Sequence, residues 1–448
     1  ILGQLRQELN QLIEHHIQPI DPSFSLSQKV QPLGFEDLQQ TLPDDRTALV
    51  CWYAAGRQLL AFIVTQTAAQ PHCHRYPEQA LEPLQEEFNS YLQSYGLNHS
   101  AWIAELPERL ARLSSLLMLD SITETLTQLA PEVDQLILVP HRFLHLLPLH
   151  GLPLVSSTTL QDHFARGVRF APSLQVLHLL CQRSSGALES LFAIANPTED
   201  LPETALEMAA IEPLFAPRAT VLHGKAASRA NVEQRSASLA TSHCLHFACH
   251  GQFNFSQPLL SALLLADCQV HPLPADADPD RYLPIGEAGA IDLEQCLTLL
   301  DVFQLDLRQA RLVALSACET GLSELNSGGD EFVGLSTGFL FAGANSVIGS
   351  LWAVPDFSTG LLMGHFYRLL KAQTQPAAEA DVALALKQAQ HWLRQLSLKE
   401  LAAQRPAIPA DSRDNFDHSL QRLQRRCSLE DQPFQNPYYW AAFTAVGQ

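Results

Sequence analysis

The sequence predicts an α/β protein built on a mostly parallel sheet flanked by helices. Two observations carry this. From residue 191 onward, short apolar runs of strand length alternate with helix-length amphipathic stretches. Strands joined through crossover helices pair in parallel. Two of these runs also end on reactive side chains, His250 and Cys318, and open sheets of this kind gather ligands outside the carboxyl ends of their strands.

The bulk numbers set the frame. A chain of 448 residues, 46% hydrophobic and 17% charged, has ample core-forming material and length for two or three domains. Acidic residues outnumber basic ones 47 to 28, for a net charge of −19. That argues against nucleic acid as the main ligand, since a phosphate backbone demands a basic face; it suits a basic protein partner better, or simply keeps a large protein soluble. Nine cysteines, odd in number and without short paired spacings, do not form a disulfide framework. They point to a reducing, cytoplasmic compartment. No apolar run reaches the roughly 18 residues of a membrane span, so no membrane is expected. The chain opens on Ile1-Leu2-Gly3-Gln4 without an initiator Met, and reads as a fragment or processed chain with an upstream part missing.

In chain order, Leu2, Leu5, Leu9, Leu12 and Ile13 recur at helical spacing and predict an amphipathic helix. Thr47–Ala54 and Gln58–Thr65, joined by Ala55-Gly56-Arg57, predict a hairpin. Helical patterns fill residues 84–129, and Gln135–Val139 and Val168–Ala171 read as strands. Residues 182–186 are the best linker, dividing a first domain, residues 1–185, from a second, residues 186–448. In the second, strands Leu191–Ala195, Ala219–Leu222, Cys244–Cys249, Leu312–Ser316, Ser346–Leu351 and Trp440–Val446 are expected. Helices fall at Glu203–Leu214, Arg229–Leu239, from about Glu331 and from Ser358. Residues 267–290 read as an exposed loop, and 405–437, polar and punctuated by Pro, as a surface insertion.

The strand ending at Cys249 delivers His250-Gly251, and the strand ending at Ala317 delivers Cys318. A Cys and a His from neighbouring strand ends are the minimum for thiol catalysis: the thiolate attacks a carbonyl while the imidazole generates it and protonates the leaving amine. Backbone N–H groups of Gly251 and Cys318 are candidate oxyanion donors, Gly251 because a residue without Cβ lets the backbone approach closely. On spacing alone, two unreactive side chains near strand ends are the commoner outcome.

Resemblance alters that balance. The runs His246-Phe247-Ala248-Cys249-His250-Gly251 and Leu315-Ser316-Ala317-Cys318-Glu319-Thr320-Gly321 look like the two signatures of CHAT-domain proteases, which are caspase-like, separase-related cysteine proteases often fused to tetratricopeptide repeats. The match continues through Gly334-Leu335, Ala342-Gly343-Ala344, Ser350-Leu351-Trp352-Ala353-Val354 and Pro437-Tyr438-Tyr439-Trp440, with Leu144-His145 and Leu147-Pro148 upstream. The resemblance implies a caspase-like sheet preceded by a degenerate, inactive caspase-like subdomain, which residues 1–185 would be. It implies a His250–Cys318 dyad without cofactor or metal. It also implies a substrate-binding segment of Ser350, Trp352 and Asp356, with the Asp356 carboxylate reading a basic side chain before the cleaved bond, Arg above Lys because Arg pairs bidentately. An acid after Pro355 is equally at home starting a helix. Where the family often has Gly-Glu-Gly, this chain has Gly329-Asp330-Glu331; those acids either join the pocket or begin the next helix.

The implied function is an endopeptidase that cleaves a protein partner after a basic residue and is controlled by a regulatory partner or upstream repeat domain. The alternative is a catalytically silent caspase-fold scaffold. Other patterns lead elsewhere and fail. Gly334-Leu335-Ser336-Thr337-Gly338 spells a hydrolase elbow, but no strand precedes it. His72-Cys73-His74 cannot turn three adjacent side chains on one ion in an extended strand, and reads as a surface loop. Cys249 diverges from its neighbour His250 and reads, like Cys244, as core filler.

Overall fold

The computed structural model describes residues 33–183, 186, 188–254, 257–274, 277–285, 289–317, 334–374 and 380–448. The expected helix of residues 2–13, the expected nucleophile Cys318 and the Gly329-Asp330-Glu331 departure lie outside the described residues.

Eleven strands form one sheet: β1 (Thr47–Ala55), β2 (Gln58–Thr65), β3 (His72–Arg75), β4 (Gln135–Val139), β5 (Gly167–Phe170), β6 (Leu191–Ala195), β7 (Ala219–His223), β8 (Cys244–Ala248), β9 (Leu312–Leu315), β10 (Ser346–Ser350) and β11 (Phe443–Gly447), in the order β3-β2-β1-β4-β5-β11-β10-β9-β8-β6-β7. Strands β6 to β10 run parallel to one another. A second parallel block, β1, β4 and β5, continues through β11, which lies antiparallel to β10. The expected hairpin is present, turning through Gly56 at φ +60, where a residue without Cβ is unstrained. Strands β4, β6, β8, β9 and β10 are buried along their whole length. Their near-continuous apolar runs reflect that, because a parallel strand covered on both faces has no solvent side to alternate with.

The helices bearing on the site are α1 (Leu81–Leu97), α2 (His99–Leu116), α3 (Leu119–Leu129), α4 (Thr204–Ile211), α5 (Leu335–Phe341), α6 (Asp356–Gln373) and α7 (Val382–Gln395). Among the described residues, no helix is long and apolar enough to cross a membrane.

Three segments differ from the sequence expectation. His72-Cys73-His74 is not a loop but part of an edge strand paired with β2, exposed at both ends and half-buried at Cys73 and His74. Residues 267–290 contain strands Gln269–Val270 and Tyr282–Ile285, which join Gly289–Asp292 in a small sheet over a core of Cys268, Ile291 and Leu293. Strands of two and four residues leave too little periodicity to read, which is why the Pro- and Asp-rich sequence looks like loop. Within 405–437, Arg413–Gln424 is helical, and Phe416 is fully buried against Phe357.

Candidate active site

Strand β7 lies on one side of β6 and β8 on the other, so the chain order reverses at β6. Loops leaving β6 and β8 diverge there, and that crevice is where ligands bind in doubly wound sheets. His250 follows β8 at this point. Its backbone is fixed from the far side: Leu264 N–H donates to His250 O at 2.9 Å, and Gly251 and Gln252 pair with Leu263 and Ala262. Its ring faces Asp200, Nε2 to Oδ1 at 3.0 Å. Asp200 sits in the loop after β6, which starts at Asn196 with φ +50; Asn196 N–H donates to Ala248 O and Asn196 Oδ1 accepts from Leu201 N–H. An Asn tolerates that left-handed backbone. Burial alone would raise the Asp200 carboxyl, but hydrogen bonds from Thr198 and His250 and the imidazole's charge bring it below the usual carboxylate value.

Asp200 escaped the sequence reading. The available signal was an acid in Asn196-Pro197-Thr198-Glu199-Asp200, a loop leaving a strand at the order reversal, which strand order alone would have revealed.

Asp356 is the first residue of α6. A helix N-terminus favours an ionised carboxylate, yet this carboxyl is pushed up to about 6, first by burial and then by Glu203 and Glu207, with Asp200 adding and His250 opposing. The crowding has a packing cause. A Cβ on Gly364 would lie 2.9 Å from Ala210 Cβ, and one on Gly360 3.4 Å from Glu207 Cβ, so α6 and α4 approach closely and bring their acids together. Beneath His250, buried His246 lies with Nε2 3.1 Å from Glu207 Oε1, in ion-pair range but off the line of a hydrogen bond. Its Nδ1 meets Tyr367 Oη at 3.2 Å.

The other expected site residues fall nearby. Ser350 is buried and donates to Ala317 O at 2.8 Å, fixing the residue before Cys318. Trp352 is buried, donates Nε1–H to Tyr438 O at 2.9 Å and meets Trp102 of α2 edge-on at 5.4 Å. Tyr95 of α1 accepts from Ala353 N–H at 3.2 Å. The helices of the first half therefore hold the segment between β10 and Asp356. Cys249 is buried in the core, and Cys244 is buried with its thiol pushed up to about 12 by desolvation, as core filler should be. No group of three or more metal-ligating side chains occurs among the described residues.

A family model described as CHAT domain matches residues 108–448. Among solved structures, the Saccharomyces cerevisiae separase–securin complex at 2.6 Å resolution superimposes with a TM-score of 0.52 at 11% identity, over 92% of this chain and 30% of that one. A second separase–securin structure from the same organism gives 0.51 at 13% identity, over 80% and 29%. The Arg specific cysteine proteinase gingipain R gives 0.36 at 9% identity, over 73% and 66%. The chain thus spans about 30% of the length of the separase chains it resembles, and likeness at such identities concerns the fold alone. That fold is caspase-like, the fold of a cysteine protease family. A search of curated proteins gives no match.

Proposed function

This chain belongs to the CHAT-domain family, and from that membership we propose that it is a cysteine endopeptidase. In this reading it cleaves a protein partner after a basic residue, Arg preferred, with His250 and Cys318 as its dyad. The observation that carries the reading is the Asp200–His250 pair at the strand-order reversal, ringed by carboxylates. Leu315 of β9 lies opposite Phe247 of β8, and three residues further along each chain are Cys318 and His250. A dyad requires side chains from two such neighbouring strand ends.

The chemistry follows from these placements. His250 takes the thiol proton; the thiolate attacks the scissile carbonyl; the protonated imidazole returns the proton to the leaving amine. The N–H groups of Gly251 and Cys318 receive the oxyanion. Asp356, with Glu203 and Glu207 behind it, supplies the negative charge for a guanidinium, and Ser350 and Trp352 hold the strand end beside it. Residues 1–185 serve as the inactive subdomain, residues 186–448 as the catalytic domain, and an upstream repeat domain or regulatory partner orders the site, in the cytoplasm. An order–disorder step of that kind is a common switch.

The test uses the purified chain, alone and with candidate partners, on peptides carrying Arg, Lys, norleucine or Asp before the scissile bond. Cleavage after Arg that Cys318→Ala and His250→Ala each abolish supports the reading. Cleavage surviving Cys318→Ala removes the dyad, and cutting after Asp removes the role given to Asp356. No cleavage by wild type with any partner returns the chain to the scaffold class.

A further inference from the structure

We infer that Asp200 is the positioning residue of the reaction: it holds His250 through Nε2 and leaves Nδ1 as the atom that exchanges a proton with the nucleophile. The inference rests on the reading of His250 as the base. The hydrogen bond made by one ring nitrogen fixes which nitrogen carries the proton and which is free. Here Nε2 lies 3.0 Å from Asp200 Oδ1. A carboxylate only accepts, so Nε2 carries hydrogen and Nδ1 presents its lone pair.

Asp200 is built to stay where it is. Asn196 N–H ties the start of the loop to Ala248 O, two residues before His250, so loop and imidazole share one strand end. Asn196 Oδ1 closes the loop onto Leu201 N–H at 2.9 Å, and Thr198 Oγ1 donates to Asp200 Oδ1. The hydrogen bonds from Thr198 and His250 work against burial, and the carboxyl lies below its usual value. Asp356 of α6 also acts on His250 through space, itself crowded by Glu207 of α4 and by Glu203, the residue just before that helix.

The proton balance is simple. The Cys318 thiol gives its proton to Nδ1, leaving a thiolate and an imidazolium whose other N–H remains on Asp200. Attack forms the C–S bond; as the C–N bond breaks, the Nδ1 proton passes to the leaving nitrogen, and the imidazole returns to its starting tautomer. Asp200 neither gains nor loses a proton. It stabilises the charge that appears on the ring.

The experiment needs no substrate. Cys318 of the full chain is alkylated with iodoacetamide across a pH series and the modified peptide quantified by mass spectrometry, in wild type, His250→Ala, Asp200→Asn, Asp200→Ala and Asp200→Glu. Thiolate formation supported by an ionised Asp200–His250 pair predicts that Asp200→Asn slows alkylation near pH 7 by roughly tenfold. Asp200→Glu should restore much of the rate, and added formate should partly rescue Asp200→Ala, effects that a merely structural role would not produce. If His250→Ala leaves the Cys318 profile unchanged, the reading of the dyad fails. If His250→Ala shifts it and neither Asp200→Asn nor Asp200→Ala does, the role of Asp200 alone is overturned.

Discussion

If Asp356 reads arginine as proposed, its raised carboxyl makes the preference fade at a higher pH than an ordinary carboxylate would. Guanidinium stays charged throughout the accessible range, so only the pocket titrates. With the carboxyl at about 6 in the free protein, roughly a tenth of the molecules carry the charge near pH 5 and nearly all near pH 8. Whatever pH dependence the bond-breaking step itself has is shared by every substrate. The ratio of kcat/KM for an Arg peptide over its norleucine counterpart cancels that contribution and isolates the pocket. The ratio should fall about tenfold between pH 8 and pH 5. Glu203 is the first charge that raises Asp356 after burial, so Glu203→Gln should move the midpoint downward and restore part of the preference near pH 5. The stability sign runs the opposite way. A carboxyl raised from 3.8 to about 6 contributes stability below 3.8 that is lost as pH rises through about 6. Asp356→Asn should remove both effects. An Arg-over-norleucine ratio that is flat with pH, or that survives Asp356→Asn, refutes the pocket.

Ser350→Ala removes a buried hydrogen bond to Ala317 O; it should cost about 1–3 kcal/mol in urea unfolding and slow Cys318 chemistry more than it weakens substrate binding, seen as a kcat loss at constant KM. Glu207→Ala removes the buried side chain that faces His246 at 3.1 Å and leaves that polar ring without its neighbour, which should cost about 1–3 kcal/mol, with the Glu207→Ala/His246→Leu double variant recovering part of the loss on the same unfolding curve. Trp102→Ala empties a fully buried site against Trp352, at about 3–5 kcal/mol; since that contact holds the strand end beside Asp356, KM for Arg peptides should rise in a variant still folded by circular dichroism.

The sequence by itself determined the layering and the sites where chemistry could sit. Buried parallel strands such as Leu191–Ala195, Leu312–Leu315 and Ser346–Ser350 carry unbroken apolar runs that need no long-range information to read, and a His or Cys directly after such a run is at a strand end by construction. Only the tertiary structure decided which strands are neighbours. Strand order depends on crossovers that leave no local trace, so Asp200, fifty residues before His250, could not be paired with it from the sequence. The same holds for the acids around Asp356: Glu203 and Glu207 reach it because Gly360 and Gly364 let two helices meet over Ala210, a coincidence of surfaces rather than of spacing. The short strands of residues 269–292 and the edge strand His72–Arg75 also belong to the tertiary level. They exist because partners are present to accept their hydrogen bonds, and a run of two to four residues has too little periodicity to announce that in advance.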